Sequence, residues 1–116
     1  MNELSLMGKL VEDAIITEQE NGKITSEIIL AVDRKHNQNN EQDEKDYLKI
    51  TLIGETAKNV AEYCRSGDTI GVRGKVRSDL VENENGETDF KLSITAERVV
   101  FLAHKKEHNK SFDNER

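Results

Sequence analysis

A chain of 116 residues with one cysteine has the length of a single domain with one core; Cys64 alone excludes an internal disulfide, and no Cys/His cluster has zinc-site spacing. No stretch approaches the roughly 20 apolar residues that a membrane-spanning helix needs, and the start, Met1 to Met7, has neither a basic region nor a long apolar run, so a cytoplasmic protein without membrane contact is expected. The net charge of -6 excludes a protein that coats nucleic acid with its whole surface; any such role requires cations gathered on one face with the acids sent elsewhere.

The first predicted strand is Leu4 to Val11, with Leu4, Leu6, Gly8 and Leu10 on one face and Ser5, Met7 and Lys9 on the other. Gly8, inside a strand, marks a bend or barrel corner. A turn at Asn21-Gly22 leads to a second strand, Ile24 to Arg34. Lys35 to Asp46 is nearly all polar and reads as a long flexible loop. The third strand, Tyr47 to Ile53, turns Leu48, Ile50 and Leu52 inward and Tyr47, Lys49, Thr51 and Ile53 outward. Ala57, Val60, Ala61 and Cys64 then fall at helical intervals within Thr56 to Arg65, with Gly67 just past the end and Cys64 expected as a small buried hydrophobe. A fourth strand, Thr69 to Ser78, points Ile70, Val72, Gly74 and Val76 inward and Gly71, Arg73, Lys75 and Arg77 outward. A hairpin tip at Glu82 to Glu87 returns into a fifth strand, Phe90 to Leu102, and the tail from His104 is polar and predicted to be disordered.

Three strands, a helix and two more strands is the order of the OB-fold: an all-β, five-stranded barrel with one short helix between strands 3 and 4. The domain expected from this reading covers residues 1–103, with 104–116 as the tail.

Two outward faces carry the candidate chemistry. The third strand offers a ring, a cation and an apolar group in Tyr47, Lys49 and Ile53, and the fourth presents Arg73, Lys75 and Arg77 with no acid between them. Binding an unpaired strand needs cations along a groove to neutralise phosphates and flat groups on which bases stack. On this reading Lys9, Lys49, Arg73, Lys75 and Arg77 hold phosphates, Tyr47 stacks, Ile53 gives apolar contact, and Arg34, Lys35 and Lys91 extend the track. The same residues read equally well as ordinary solvated charges.

The series Asn2, Leu4-Ser5-Leu6-Met7-Gly8-Lys9-Leu10, Leu30-Ala31-Val32-Asp33-Arg34, Ile53-Gly54, Thr56-Ala57, Val60-Ala61-Glu62-Tyr63, Gly67, Val72-Arg73-Gly74-Lys75-Val76, Thr95-Ala96-Glu97 and Val99-Val100-Phe101-Leu102 resembles, in order and spacing, the N-terminal domain of bacterial single-stranded-DNA-binding proteins. The resemblance covers about residues 1 to 103. It implies sequence-independent binding of single-stranded DNA in replication, recombination or repair, and a homo-oligomer, a tetramer or else a dimer. It makes Tyr47 the retained stacking residue, Lys49 its basic neighbour, and His36 a candidate base contact. Two departures stand out. Ile53 takes a place where the family often has phenylalanine, and Leu80 and Val81 stand where many relatives carry an aromatic ring, so weaker and more electrostatic binding is expected. The chain ends at Asp113-Asn114-Glu115-Arg116, without the acidic, apolar-ended tip through which relatives recruit partners, as in a truncated or shorter paralogue.

No catalytic set emerges: His36, His104 and His108 lie in polar segments, and the abundant acids are scattered over loops. A non-enzymatic binding protein without metal or cofactor is therefore expected. The alternative is an OB-fold adaptor, similar to the primosomal replication protein N, acting mainly through protein contacts. An RNA- or oligosaccharide-binding barrel also stays open on fold analogy.

Overall fold

The computed structural model describes residues 1–34 and 44–105. In chain order the elements are β1 (Leu4–Leu10), β2 (Thr17–Glu18), β3 (Ile24–Asp33), β4 (Lys45–Ile53), α1 (Glu55–Tyr63), β5 (Thr69–Glu82) and β6 (Thr88–Ala103). The predicted five strands and single helix are all present. The additional strand, β2, is two residues long and pairs only with β3, through Thr17–Thr25 and Glu18–Ile24.

The sheet closes on itself. β1 pairs antiparallel with β5, β5 with β6, β6 parallel with β4 through Ile50–Ile94 and Thr51–Thr95, and β4 antiparallel with β3. A short β3–β1 ladder, Ala31–Lys9 and Leu30–Leu10, completes the ring, which is the five-stranded barrel of the OB-fold. Gly8 makes that closure possible, because a Cβ there would lie inside the Ala31 carbonyl. Gly74 serves the same purpose at an irregularity between β5 and β6, where a Cβ would strike the Thr95 carbonyl.

Period-two alternation fills the barrel. Leu10, Ile28, Leu30, Ile50, Leu52, Ile70, Val72 and Ala96 are buried from the strands, and Ala57, Val60 and Cys64 bring α1 onto one end. Each fully buried large aliphatic side chain contributes about 1.5–3 kcal/mol, so the core is the main source of stability. Cys64 is a free, buried thiol whose pKa burial pushes up.

One carboxylate ties the helix end to the sheet. Asp68, buried in the turn before β5, accepts the Arg65 N–H (2.8 Å) and the Lys105 N–H (3.0 Å) and lies 3.5 Å from His104 Nδ1. Burial pushes its carboxyl up, but the Arg65 and Lys105 N–H groups and His104 outweigh that and hold it below its ordinary value. His104 and Lys105 are thus anchored; the rest of the predicted tail, 106–116, lies outside the described residues.

β5 and β6 outrun the barrel. From Lys75 to Glu82 every residue of β5 is exposed, and the ladder continues through Leu80–Phe90 to Glu82–Thr88 as a two-stranded arm. The inward face of the sheet becomes, on this arm, an uncovered apolar face of Val76, Leu80, Phe90 and Leu92.

Candidate nucleic-acid interface

The outer wall is built around β4. Its alternation sends Leu48, Ile50 and Leu52 in, which leaves Tyr47, Lys49 and Ile53 exposed on one line. Tyr47 lies opposite Ala31, which on its other side lies opposite Lys9, so the barrel's closure sets a ring and a second strand's cation in one row. Lys9 and Lys49 make no ion pair or side-chain hydrogen bond among the described residues. Ile53 borders a groove of about 530 Å³ with Ile15, Thr25 and Glu27, the last placing one carboxylate on this face.

The β5 cations are distributed rather than gathered at Tyr47. Lys75 is in register with Thr95, and Thr95 with Thr51, so Lys75 lies two strand spacings, about 10 Å, from the β4 line. It also pairs with Glu97 at 3.1 Å. Arg77, opposite Ser93, and Lys91, opposite Asp79, sit on the arm as it leaves the barrel. Arg73 falls at the other end, between Ser5 of β1 and Arg98 of β6. The β5 row is unbroken along its strand but spans two neighbourhoods, because Arg73 lies where β5 is flanked by β1 and Arg77 where the strand has run past it.

Arg34 is already engaged, through Asp46 at 2.8 Å and Glu44 at 3.5 Å. These pairs and Lys75–Glu97 are exposed, and such pairs are held weakly enough for a phosphate to displace the carboxylate. The Lys35 and His36 assignments lie outside the described residues.

Two residues missed by the sequence reading now join the surface. Phe90 faces Leu80 across the ladder and is 69% exposed, so the hairpin does carry a ring, on the opposite strand from the expected place. Arg98 lies opposite Arg73 and doubles the charge there. The signal for Phe90 was available in its hairpin position; that for Arg98 was hidden by a bulge. More generally, Tyr47, Tyr63, Phe90 and Phe101, the tyrosines and phenylalanines of the described residues, are all exposed, while the core is aliphatic. Rings bury large areas and ordinarily fill cores, so this placement keeps stacking surface in solvent.

The profile of the single-strand binding protein family matches residues 1–102. The chain belongs to that family. Among its relatives, a single-stranded DNA-binding protein of Staphylococcus epidermidis is 31% identical over 96% of this chain and 83% of the relative. Single-stranded DNA-binding protein B of Bacillus subtilis is 32% identical over 87% of this chain and 89% of its own length. Single-stranded DNA-binding protein 1 of Clostridium acetobutylicum is 31% identical over 92% and 98% respectively. The barrel is thus a single-strand binding family barrel whose described tyrosines and phenylalanines are exposed.

Proposed function

We propose that this protein binds single-stranded DNA without sequence preference, as a non-enzymatic coat that protects the strand during replication, recombination or repair. One observation carries the reading: rings that a barrel of this size would use in its core stand on the surface instead. Tyr47 stacks a base, Lys49 and Lys9 neutralise the flanking phosphates, and Ile53 gives apolar contact. Arg77 and Lys91, with Lys75 donating to the strand while still paired to Glu97, continue the track across β6 and onto the arm. Phe90, on the arm's other face, supplies a second platform to a strand that passes over the arm's edge; Arg34 joins by exchanging carboxylate for phosphate. Lys35 and His36 belong to the same proposal as part of the connection between β3 and β4. No step makes or breaks a bond, because exposed rings and cations alone suffice for stacking and charge neutralisation.

Family membership also supports assembly of several copies. Met7, Val100 and Leu102 form an exposed apolar patch around Gly71 on the outside of β1, β5 and β6, and a second copy would cover it.

The adaptor reading keeps one observation in its favour, the acidic arm tip of Glu82, Glu84, Glu87 and Asp89. A titration with labelled oligo-dT and with a duplex of the same length separates the two. Tighter binding of the single strand is expected; equal binding of the duplex, or none of either, favours the adaptor.

A further inference from the structure

A second aromatic cluster lies away from the β4 face. Between α1 and the C-terminal half of β6 runs a groove of about 600 Å³, within the range of small-molecule sites, walled by Tyr63, Phe101 and His104 over a floor that includes Val60. Phe101 and His104 are in contact, with ring centroids 4.5 Å apart and planes inclined at 54°. Tyr63, on the last turn of the helix, is 63% exposed and lends nothing to the core. The β5–β6 irregularity sets both Glu97 and Arg98 beside Arg73, so consecutive β6 residues point outward, and a bulge of this kind re-aims side chains at sites. Arg73 and Arg98 have no ion-pair partner among the described residues, while Glu97, the acid at the groove's edge, is engaged by Lys75.

We infer that this groove is a second base-stacking site for single-stranded DNA: an unpaired base lies among Tyr63, Phe101 and His104, and Arg98, which lines the same groove, holds the adjoining phosphate. The inference rests on the function proposed above and adds a separate site to it. Chemistry selects the occupant. Rings beside a guanidinium with no ion-pair partner among the described residues match a base and its phosphate together, whereas an apolar peptide would leave Arg98 without a partner. Continuity supports it as well. The parallel β4–β6 ladder pairs Thr51 with Thr95, two residues before Ile53 on one strand and before Glu97 of the groove on the other, so a strand leaving the Tyr47–Ile53 line is carried toward the groove.

The test compares the full chain with Tyr63→Leu and Arg98→Ala, both changes at exposed positions, on oligo-dT of about 5 nucleotides, which the β4 face alone covers, and of about 16, the upper site size for one such barrel. The expected result is a roughly tenfold loss of affinity for the long oligomer with the short one bound as by wild type. Photo-crosslinking of wild type with a 5-iodouracil oligomer of the longer length should in addition label peptides containing Tyr63 or Phe101, a readout that needs no variant. Long-oligomer binding equal to wild type, a loss of equal size on both lengths, or crosslinks confined to Tyr47 and Phe90 overturns the second site while leaving the first. Failure of wild type to bind either oligomer removes the function itself, and the groove's role with it.

Discussion

Tyr47 and Phe90 reach the surface for different reasons. On β4 the alternation that turns Leu48, Ile50 and Leu52 inward forces Tyr47 outward beside Lys49. On the arm the strands have run past the barrel, so Phe90 and Leu80 face solvent although they continue the inward face. Tyr47→Ala and Phe90→Ala should each weaken oligo-dT binding by about 1–3 kcal/mol, with thermal unfolding unchanged, because neither ring lies in the core. Fluorescence titration checks this, and two variants that both bind like wild type would place the strand on another surface. Phe90 also alters the meaning of the aliphatic Leu80 and Val81: a ring at the expected position is replaced by one across the ladder, which sequence neighbours do not reveal.

Between elements, Asp68 is the clearest joint. Its carboxylate takes N–H donors from the α1–β5 turn and from the residue two past β6, so it staples helix, turn and last strand. Because its folded pKa lies below the ordinary value, the stabilisation is complete above the unfolded pKa of about 3.9 and is lost as pH falls through the lower folded value. Asp68→Asn should destabilise the fold by about 1–3 kcal/mol at neutral pH and flatten the acid limb of a stability-against-pH curve. An unchanged acid limb in that variant would assign it to other carboxylates. Strand and helix existence were legible from period-two and period-3.6 patterns, as was the role of Gly8 at a barrel corner. The ends of β5 and β6 were not: past Ser78 the alternation has no core to face, and only the ladder partner decides how far pairing runs.

At the scale of the molecule, net charge and local charge act in opposite directions. The chain carries -6, so its distant field repels DNA, and binding must come from cations within contact range. In the oligo-dT titration repeated at rising salt, log K should fall by about 0.7 per phosphate contact for each tenfold rise in salt, or about 3 for four contacts among Lys9, Lys49, Arg77 and Lys91. A flat salt response would mean that stacking alone carries the affinity. The proposed assembly is read by sedimentation equilibrium: wild type should run as an oligomer and Val100→Glu, in the exposed Met7–Val100–Leu102 patch, as a smaller species, while a monomeric wild type would remove the assembly.

By itself the amino-acid order determined the strand and helix series, the inward aliphatic set and the outward identity of Tyr47, Lys49 and the β5 cations, because alternation depends only on neighbours along the chain. Tertiary structure decided which outward residues share a neighbourhood: Lys9 beside Tyr47 through Ala31, Arg98 beside Arg73, Arg34 and Lys75 beside carboxylates, and Phe90 across from Leu80. Those adjacencies follow from closure of the sheet and from register across ladders, which join residues far apart in sequence and leave no periodic trace along it.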